Sequence, residues 1–294
     1  MTIANKPPGS VHARRGFSRM TAFLRRTSPS LWFGLTILVV YALVAIFAPV
    51  IAPYGEREVV SSAPYGPWSE QFIFGTDQLG RDVFSRLIYA ARSTIAISIA
   101  VTVLTFAIGM TLGIIAAVLG GIMDMVISRI VDAIMALPQL VVILVMLSVV
   151  GSSIFNLIIV IGIADSTNVF RLARSVSLNV AAMDYVEDAR ARGESLGWII
   201  FREVLPNILP TLVAEFGMRF CFVVLTISAL SFLGLGIQPP TADWGSMVRE
   251  NATLISYGDV TPLLPAAAIA ILAIGVNFVV DWFLHHSSGL RHDR

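Results

Sequence analysis

The sequence predicts an all-α membrane protein with six transmembrane helices. Hydrophobic residues make up 56% of its 294 residues, and charged residues only 13%. A soluble domain carries about a quarter charged residues, so half that share indicates a chain mostly buried in lipid. Six apolar segments approach the ~20 residues that a helix needs to cross a bilayer. They are residues 31–51, 93–119, 126–150, 154–170, 211–235 and 262–284.

The basic residues that flank these segments predict their orientation. The tail 1–30 contains Lys6 and five arginines and has no acidic residue, so we expect the N-terminus in the cytoplasm. Six crossings would return the C-terminal tail, residues 285–294, to the same side. The polar segment 171–210 would face the cytoplasm as well. The first apolar segment is too long for a typical signal peptide, which predicts that it remains as a span.

The segment between the first two spans, residues 52–92, is expected on the opposite side of the membrane. It begins with prolines and glycines, which indicate irregular loop. From Asp82 onward apolar residues recur at helical spacing, which predicts an amphipathic helix at the membrane surface that Asp77 could cap. Further along, Pro138 lies within the third span and should kink it.

Charged residues within spans usually carry function or pair with a neighbour. Glu215 and Arg219 lie four residues apart on the fifth span, so they are predicted to pair with each other. Asp165 in the fourth span has no assigned partner. None of these residues indicates a proton relay.

The most informative polar stretch lies between the fourth and fifth spans and runs from Tyr185 to Pro206. Its first part is rich in helix formers, and Gly193 ends that run by allowing a turn with positive φ or a close backbone contact. Leu205-Pro206 then begins the next span, since proline suits the first turn of a helix. Taken alone, the stretch is either a short surface hairpin or a docking loop for a soluble partner.

The spacing of this stretch resembles the EAA loop of ABC importer permeases. It departs from the family pattern at Asp188, where alanine is usual, and at Glu203, where an apolar residue is common. The resemblance implies that the stretch is the coupling loop, which is the docking site for an ATP-hydrolysing partner. The residues to which it assigns this role are Tyr185, Glu187, Asp188, Ala189, Arg192, Gly193, Leu205 and Pro206.

Two further stretches narrow the resemblance. Residues 74–86 and 230–245 are similar to motifs of dipeptide and oligopeptide permeases. This implies a type I ABC importer permease fold, with a five-helix core over 93–284, in a bacterial inner membrane. The family's mechanism would require a second permease that shares the translocation path, two ATP-binding subunits and an extracytoplasmic substrate-binding protein.

No cofactor or metal site is predicted in this chain, and no nucleic acid partner. Lys6 is the only lysine, so a phosphate-binding loop that ends in Gly-Lys-Ser/Thr is impossible, and ATP with Mg²⁺ is expected in the partner subunits. Cys221 is the only cysteine, and the four histidines lie near the chain ends. The chain is therefore expected to be a transport subunit and not an enzyme.

Two alternatives stay open from the sequence. The same class of importer also includes carriers of nickel and other small solutes, so the cargo need not be a di- or oligopeptide. A self-sufficient secondary transporter is the other alternative, and it would need a charge relay or an ion site within this one chain.

Overall fold

The structure, a computed structural model, describes residues 29–289 and the side chains of residues 29–286. The basic tail that predicts the orientation, and residues 290–294, lie outside the described part. The described chain forms nine α-helices and only two isolated β-bridges. The helices are α1 (Pro29–Ile51), α2 (Val83–Leu119), α3 (Gly121–Met135), α4 (Gln139–Val150), α5 (Ile154–Ala181), α6 (Asp184–Ala191), α7 (Leu196–Phe232), α8 (Trp244–Asn251) and α9 (Leu263–Gly289).

Five of the described helices, namely α1, α2, α5, α7 and α9, are long and apolar enough to cross a membrane. Helices α3 and α4 pass the same test only as a pair, and they are bent by 82° relative to each other. The third predicted span is therefore a broken one, and counting the pair as one span makes six. The bend adjoins Pro138, which precedes α4 as its N-cap. The predicted kink is confirmed, and it is sharp because the proline has no N–H to continue the helix.

The predicted surface helix and the second span are one continuous helix, α2. Its first turns are not free to lie on the membrane, because Val83, Ile88 and Ala91 are buried. Val83 and Ala91 belong to a hydrophobic cluster that includes Trp244, which is 1% exposed. The amphipathic pattern thus describes a face that contacts protein. Trp244 lies in this core and donates from Nε1 to the Leu87 carbonyl oxygen at 3.2 Å.

The cap of α2 also differs from the expectation. Asp82 caps the helix, since its Oδ2 accepts from the Ser85 N–H at 2.8 Å. Asp77 is instead fully buried and forms ion pairs with Arg81 and Arg86. Its Oδ1 accepts from the Leu79 and Arg81 N–H groups at 2.8 and 3.0 Å, so the carboxylate is engaged within this turn and not at the start of α2.

Helices α2 and α5 pack closely along much of their length, and glycines permit the approach. A Cβ on Gly109 would lie 2.5 Å from the Ser166 carbonyl oxygen, and one on Gly113 would lie 2.8 Å from that of Phe170. Such backbone contact is typical of small residues in membrane helix interfaces. The α2–α5 pair therefore forms the centre of the bundle, and α6 follows directly from its end.

Candidate functional site

Residues 183–206 form a compact helical segment that leads from the end of α5 into the first turns of α7, and we call it the coupling segment. Asp184 and Glu187 lie in the first turn of α6 and Arg190 in its last turn, an arrangement that the helix dipole favours. The helix ends at Ala191. Gly193 then adopts a φ of +80° and donates its N–H to the Arg190 carbonyl oxygen at 3.0 Å. The turn with positive φ that the sequence predicts at this glycine is present.

The inner side of α6 is attached firmly to the membrane helices. Val186 and Ala189 are fully buried, in a hydrophobic cluster with residues of α2, α5 and α7. Arg190 donates from Nη2 to the Val118 carbonyl oxygen at 3.2 Å, so it satisfies a carbonyl in the last turn of α2. A force applied to α6 would therefore reach these helices through side chains already in contact.

The second half of the coupling segment is the start of α7. Ser195 caps it, with its Oγ accepting from the Trp198 N–H at 3.3 Å. Ile199–Val204 is π-helical, and the Leu205 N–H bonds the Ile200 carbonyl five residues back. Single π-helical turns recur at functional sites in helices. The wider turn lets both Ile199 and Val204 point inward and be buried.

The solvent side of the coupling segment mixes charged and apolar side chains. Phe201 is 70% exposed, and Met183, Tyr185 and Leu196 are exposed as well. Partial burial, and then the negative charge of Glu203, raise the pKa of the Tyr185 hydroxyl. Aromatic, methionine and arginine side chains are enriched in protein interfaces. We call this surface the outer face, formed by Met183, Tyr185, Glu187, Asp188, Arg192, Leu196 and Phe201.

The structure separates the predicted site residues into two groups. Tyr185, Glu187, Asp188, Arg192, Gly193 and Pro206 are exposed, whereas Ala189 is buried and Leu205 half-buried. Both pack the segment against the bundle, and Ala189 offers no surface to a partner.

The sequence-based set of site residues omitted Met183, Leu196 and Phe201. The helical phase could have identified Phe201, because it falls opposite the buried residues Ile199 and Val204.

A second polar group lies within the membrane helices. The predicted pair is confirmed, with Arg219 Nε 2.5 Å from Glu215 Oε1. Arg219 also reaches Asp165 of α5, with Nη1 3.3 Å from Oδ1. Across residues 29–286 no three His, Cys, Asp or Glu side chains are grouped so as to hold a metal ion.

Comparison with known proteins identifies the family of the chain. Residues 109–288 match the family described as "Binding-protein-dependent transport system inner membrane component". Residues 26–67 match the "N-terminal TM domain of oligopeptide transport permease C". The first match covers most of the bundle, including the whole coupling segment.

Individual relatives are similar over most of their length. The dipeptide transport system permease protein DppC of Escherichia coli (strain K12) is 38% identical over 254 residues, which is 84% of this chain and 85% of the relative. DppC of Alkalihalophilus pseudofirmus is 34% identical over 249 residues, or 84% and 82%. The glutathione transport system permease protein GsiD of Salmonella typhimurium is 36% identical over 241 residues, or 81% and 79%.

These matches extend from the first span to the last and fit the helical order of the structure. The predicted all-α permease fold and the family suggested by the motifs are both confirmed. The protein is a multi-pass component of the inner membrane, and it is not a catalytic subunit. A binding-protein-dependent system implies ATPase and binding-protein partners. The chain belongs to the inner-membrane permease family of binding-protein-dependent ABC importers, in its oligopeptide and dipeptide permease C branch.

Proposed function

We propose that this chain is one of two permease subunits of a peptide importer, and that the coupling segment transmits the motion of the ATPase subunits to it. The observation that carries the proposal is the two-sided construction of α6. Its inner side, with Val186 and Ala189, is fully buried in the bundle. Its outer face leaves apolar side chains exposed, and its charged side chains form no ion pair with residues 29–286.

The contacts of α6 suggest how the coupling would act. ATP-driven closure of the ATPase subunits would push on the outer face. Because Arg190 bonds the end of α2 and Ala189 packs on the bundle, α6 would carry the helix ends with it. The π-helical stretch Ile199–Val204 adjoins the same cluster and provides the connection to α7. ATP and Mg²⁺ would bind to the ATPase subunits.

The second permease would complete the translocation path. Helices α3 and α4 expose large apolar side chains, among them Ile122 at 76% and Val149 at 79%. Lipid or another permease must cover such surfaces. A path between two related permeases is consistent with the exposure of the broken span and with the family.

A peptide cargo is favoured by the relatives, whose names specify dipeptide, di/tripeptide and glutathione transport. The test is uptake by proteoliposomes that contain this chain with its second permease and ATPases, with the binding protein added. We expect ATP-dependent accumulation of a labelled di- or tripeptide. An excess of nickel should reduce this uptake only slightly. Nickel uptake without peptide uptake would contradict the cargo, and gradient-driven uptake by this chain alone would contradict the importer.

The proposed topology places both termini and the coupling segment in the cytoplasm. Ser62 and Ser195 are both exposed, one in the loop before α2 and one in the coupling segment. In a Cys221→Ser background, a cysteine at position 62 should react with an impermeant thiol reagent in cells with permeabilised outer envelopes. A cysteine at 195 should react only after lysis. The reverse pattern would invert the topology.

A further inference from the structure

Three charged side chains meet within the membrane helices, near the middle of α5 and in the apolar part of α7. Arg219 lies between Glu215, at 2.5 Å, and Asp165, at 3.3 Å. Two amides extend the group, since Asn168 and Gln139 donate to Asp165 Oδ1 at 3.0 and 3.3 Å. We call these five residues the intramembrane polar cluster.

The cluster carries more negative than positive formal charge. Two carboxylates share one guanidinium, so one formal negative charge is in excess. Among residues 29–286 no other arginine or histidine forms an ion pair with Asp165 or Glu215. Asp165 Oδ2 is buried and has no hydrogen-bond partner in the described chain, although Oδ1 of the same carboxylate accepts three hydrogen bonds.

The partial exposure of Arg219 restricts what can lie against this face of α7. Its side chain is 20% exposed, and its guanidinium lies 5.2 Å from the ring centroid of Phe222, which is 55% exposed. A charged group within a span is costly against acyl chains and is found against protein or water. This face of α7 therefore contacts a second protein or an aqueous cavity.

A cavity beside the cluster supports the second possibility. It has a volume of about 250 Å³, and its lining includes Gln139, Thr167 and Asn168 together with Pro138 at the break between α3 and α4. Both amide side chains that contact Asp165 therefore also line this cavity. Irregular backbone within a membrane is tolerated where it is buried in protein or lines a water-filled cavity, so the break itself fits such a cavity.

We propose that the intramembrane polar cluster lines the translocation path and that its excess negative charge favours peptides with positive groups in transit. The proposal rests on the proposed function, because it takes the path to lie between this chain and a second permease. Arg219 would contact the carboxylate end of the cargo. The pair Asp165 and Glu215 would supply the net attraction for an ammonium or guanidinium group.

The first experiment tests whether this face of α7 is reached by water in the assembled transporter. Its outcome does not depend on the identity of the cargo. In a Cys221→Ser background of the assembled transporter, Phe222→Cys should react with a charged, water-soluble maleimide during ATP turnover. The control is Val40→Cys in α1, which is 49% exposed and should stay unreactive in lipid. Reaction at 222 but not at 40 supports the path, and equal lack of reaction at both positions would overturn it.

The second experiment tests the charge selectivity. Asp165→Asn and Glu215→Gln each remove one carboxylate and leave Arg219 a partner. In either variant the uptake ratio of a lysine-containing to a glutamate-containing dipeptide should fall by about threefold or more, as expected when one nearby opposite charge is lost. The binding protein is the same in all samples, so its preference cancels when each variant is compared with the native importer.

A matched control removes a carboxylate elsewhere. Asp124 pairs with Arg174 between α3 and α5, outside the cluster, and Asp124→Asn should leave the uptake ratio unchanged. Unchanged ratios in both cluster variants would overturn the selectivity. Absence of any peptide uptake by the native importer would refute the proposed cargo, whereas the maleimide pattern would still decide whether the cluster lines the path.

Discussion

Gly193→Val is expected to abolish most ATP-driven uptake while leaving the protein inserted in the membrane. Gly193 has a φ of +80°, which L-residues rarely adopt, so valine would distort the turn after α6. A Cβ at this position would meet no atom within 4 Å among the described residues, so the added side chain would project away from the bundle, where the ATPase subunits are proposed to bind. The measurements are membrane abundance, co-purification of the ATPases and uptake.

Gly258 provides a matched control for this substitution. It has a φ of +79°, and a Cβ there would also meet nothing within 4 Å, but it lies after α8 on the other side of the bundle. Gly258→Val should therefore carry a similar backbone cost and retain ATPase co-purification. If both variants kept nearly the full uptake of the native importer, the coupling segment would be a simple linker, and its proposed role would be wrong.

Arg86→Met is expected to destabilise strongly the end of the bundle at which α2 meets α8. Arg86 Nη1 lies 2.5 Å from Asp77 Oδ2 and 2.6 Å from Glu250 Oε2, and Arg81 contacts the same two carboxylates. All four side chains are at most 6% exposed. Removing one member leaves a buried charge without full compensation, which costs about 3–5 kcal/mol. The midpoint of thermal unfolding in detergent should fall clearly.

Arg57 is the control for the buried ion pairs. It pairs with Glu56 at 3.6 Å, but its side chain is 67% exposed. Exposed ion pairs contribute about 0–1 kcal/mol, so Arg57→Met should leave the unfolding midpoint nearly unchanged. Equal midpoints for the Arg86 and Arg57 variants would mean that the buried cluster does not hold α2 to α8.

The sequence by itself determined the number of apolar segments, the kink at Pro138, the turn at Gly193 and the Glu215–Arg219 pair. Each of these depends on local chemistry. A span needs enough consecutive apolar residues, a proline lacks an N–H, a glycine tolerates positive φ, and residues four apart share a helix face. Several long motifs in the same order made the permease family recognisable.

Only the tertiary structure decided which apolar faces meet protein. Periodicity showed that Val83, Ile88 and Ala91 share a face, but lipid and a protein core are both apolar, so the pattern could not distinguish them. For the same reason the sequence could not show that Trp244 is a core residue. The contact of Asp165 with Arg219 joins residues far apart in the chain, and it exists because α5 and α7 pack together at that level. Such contacts follow from helix packing, which local sequence does not encode.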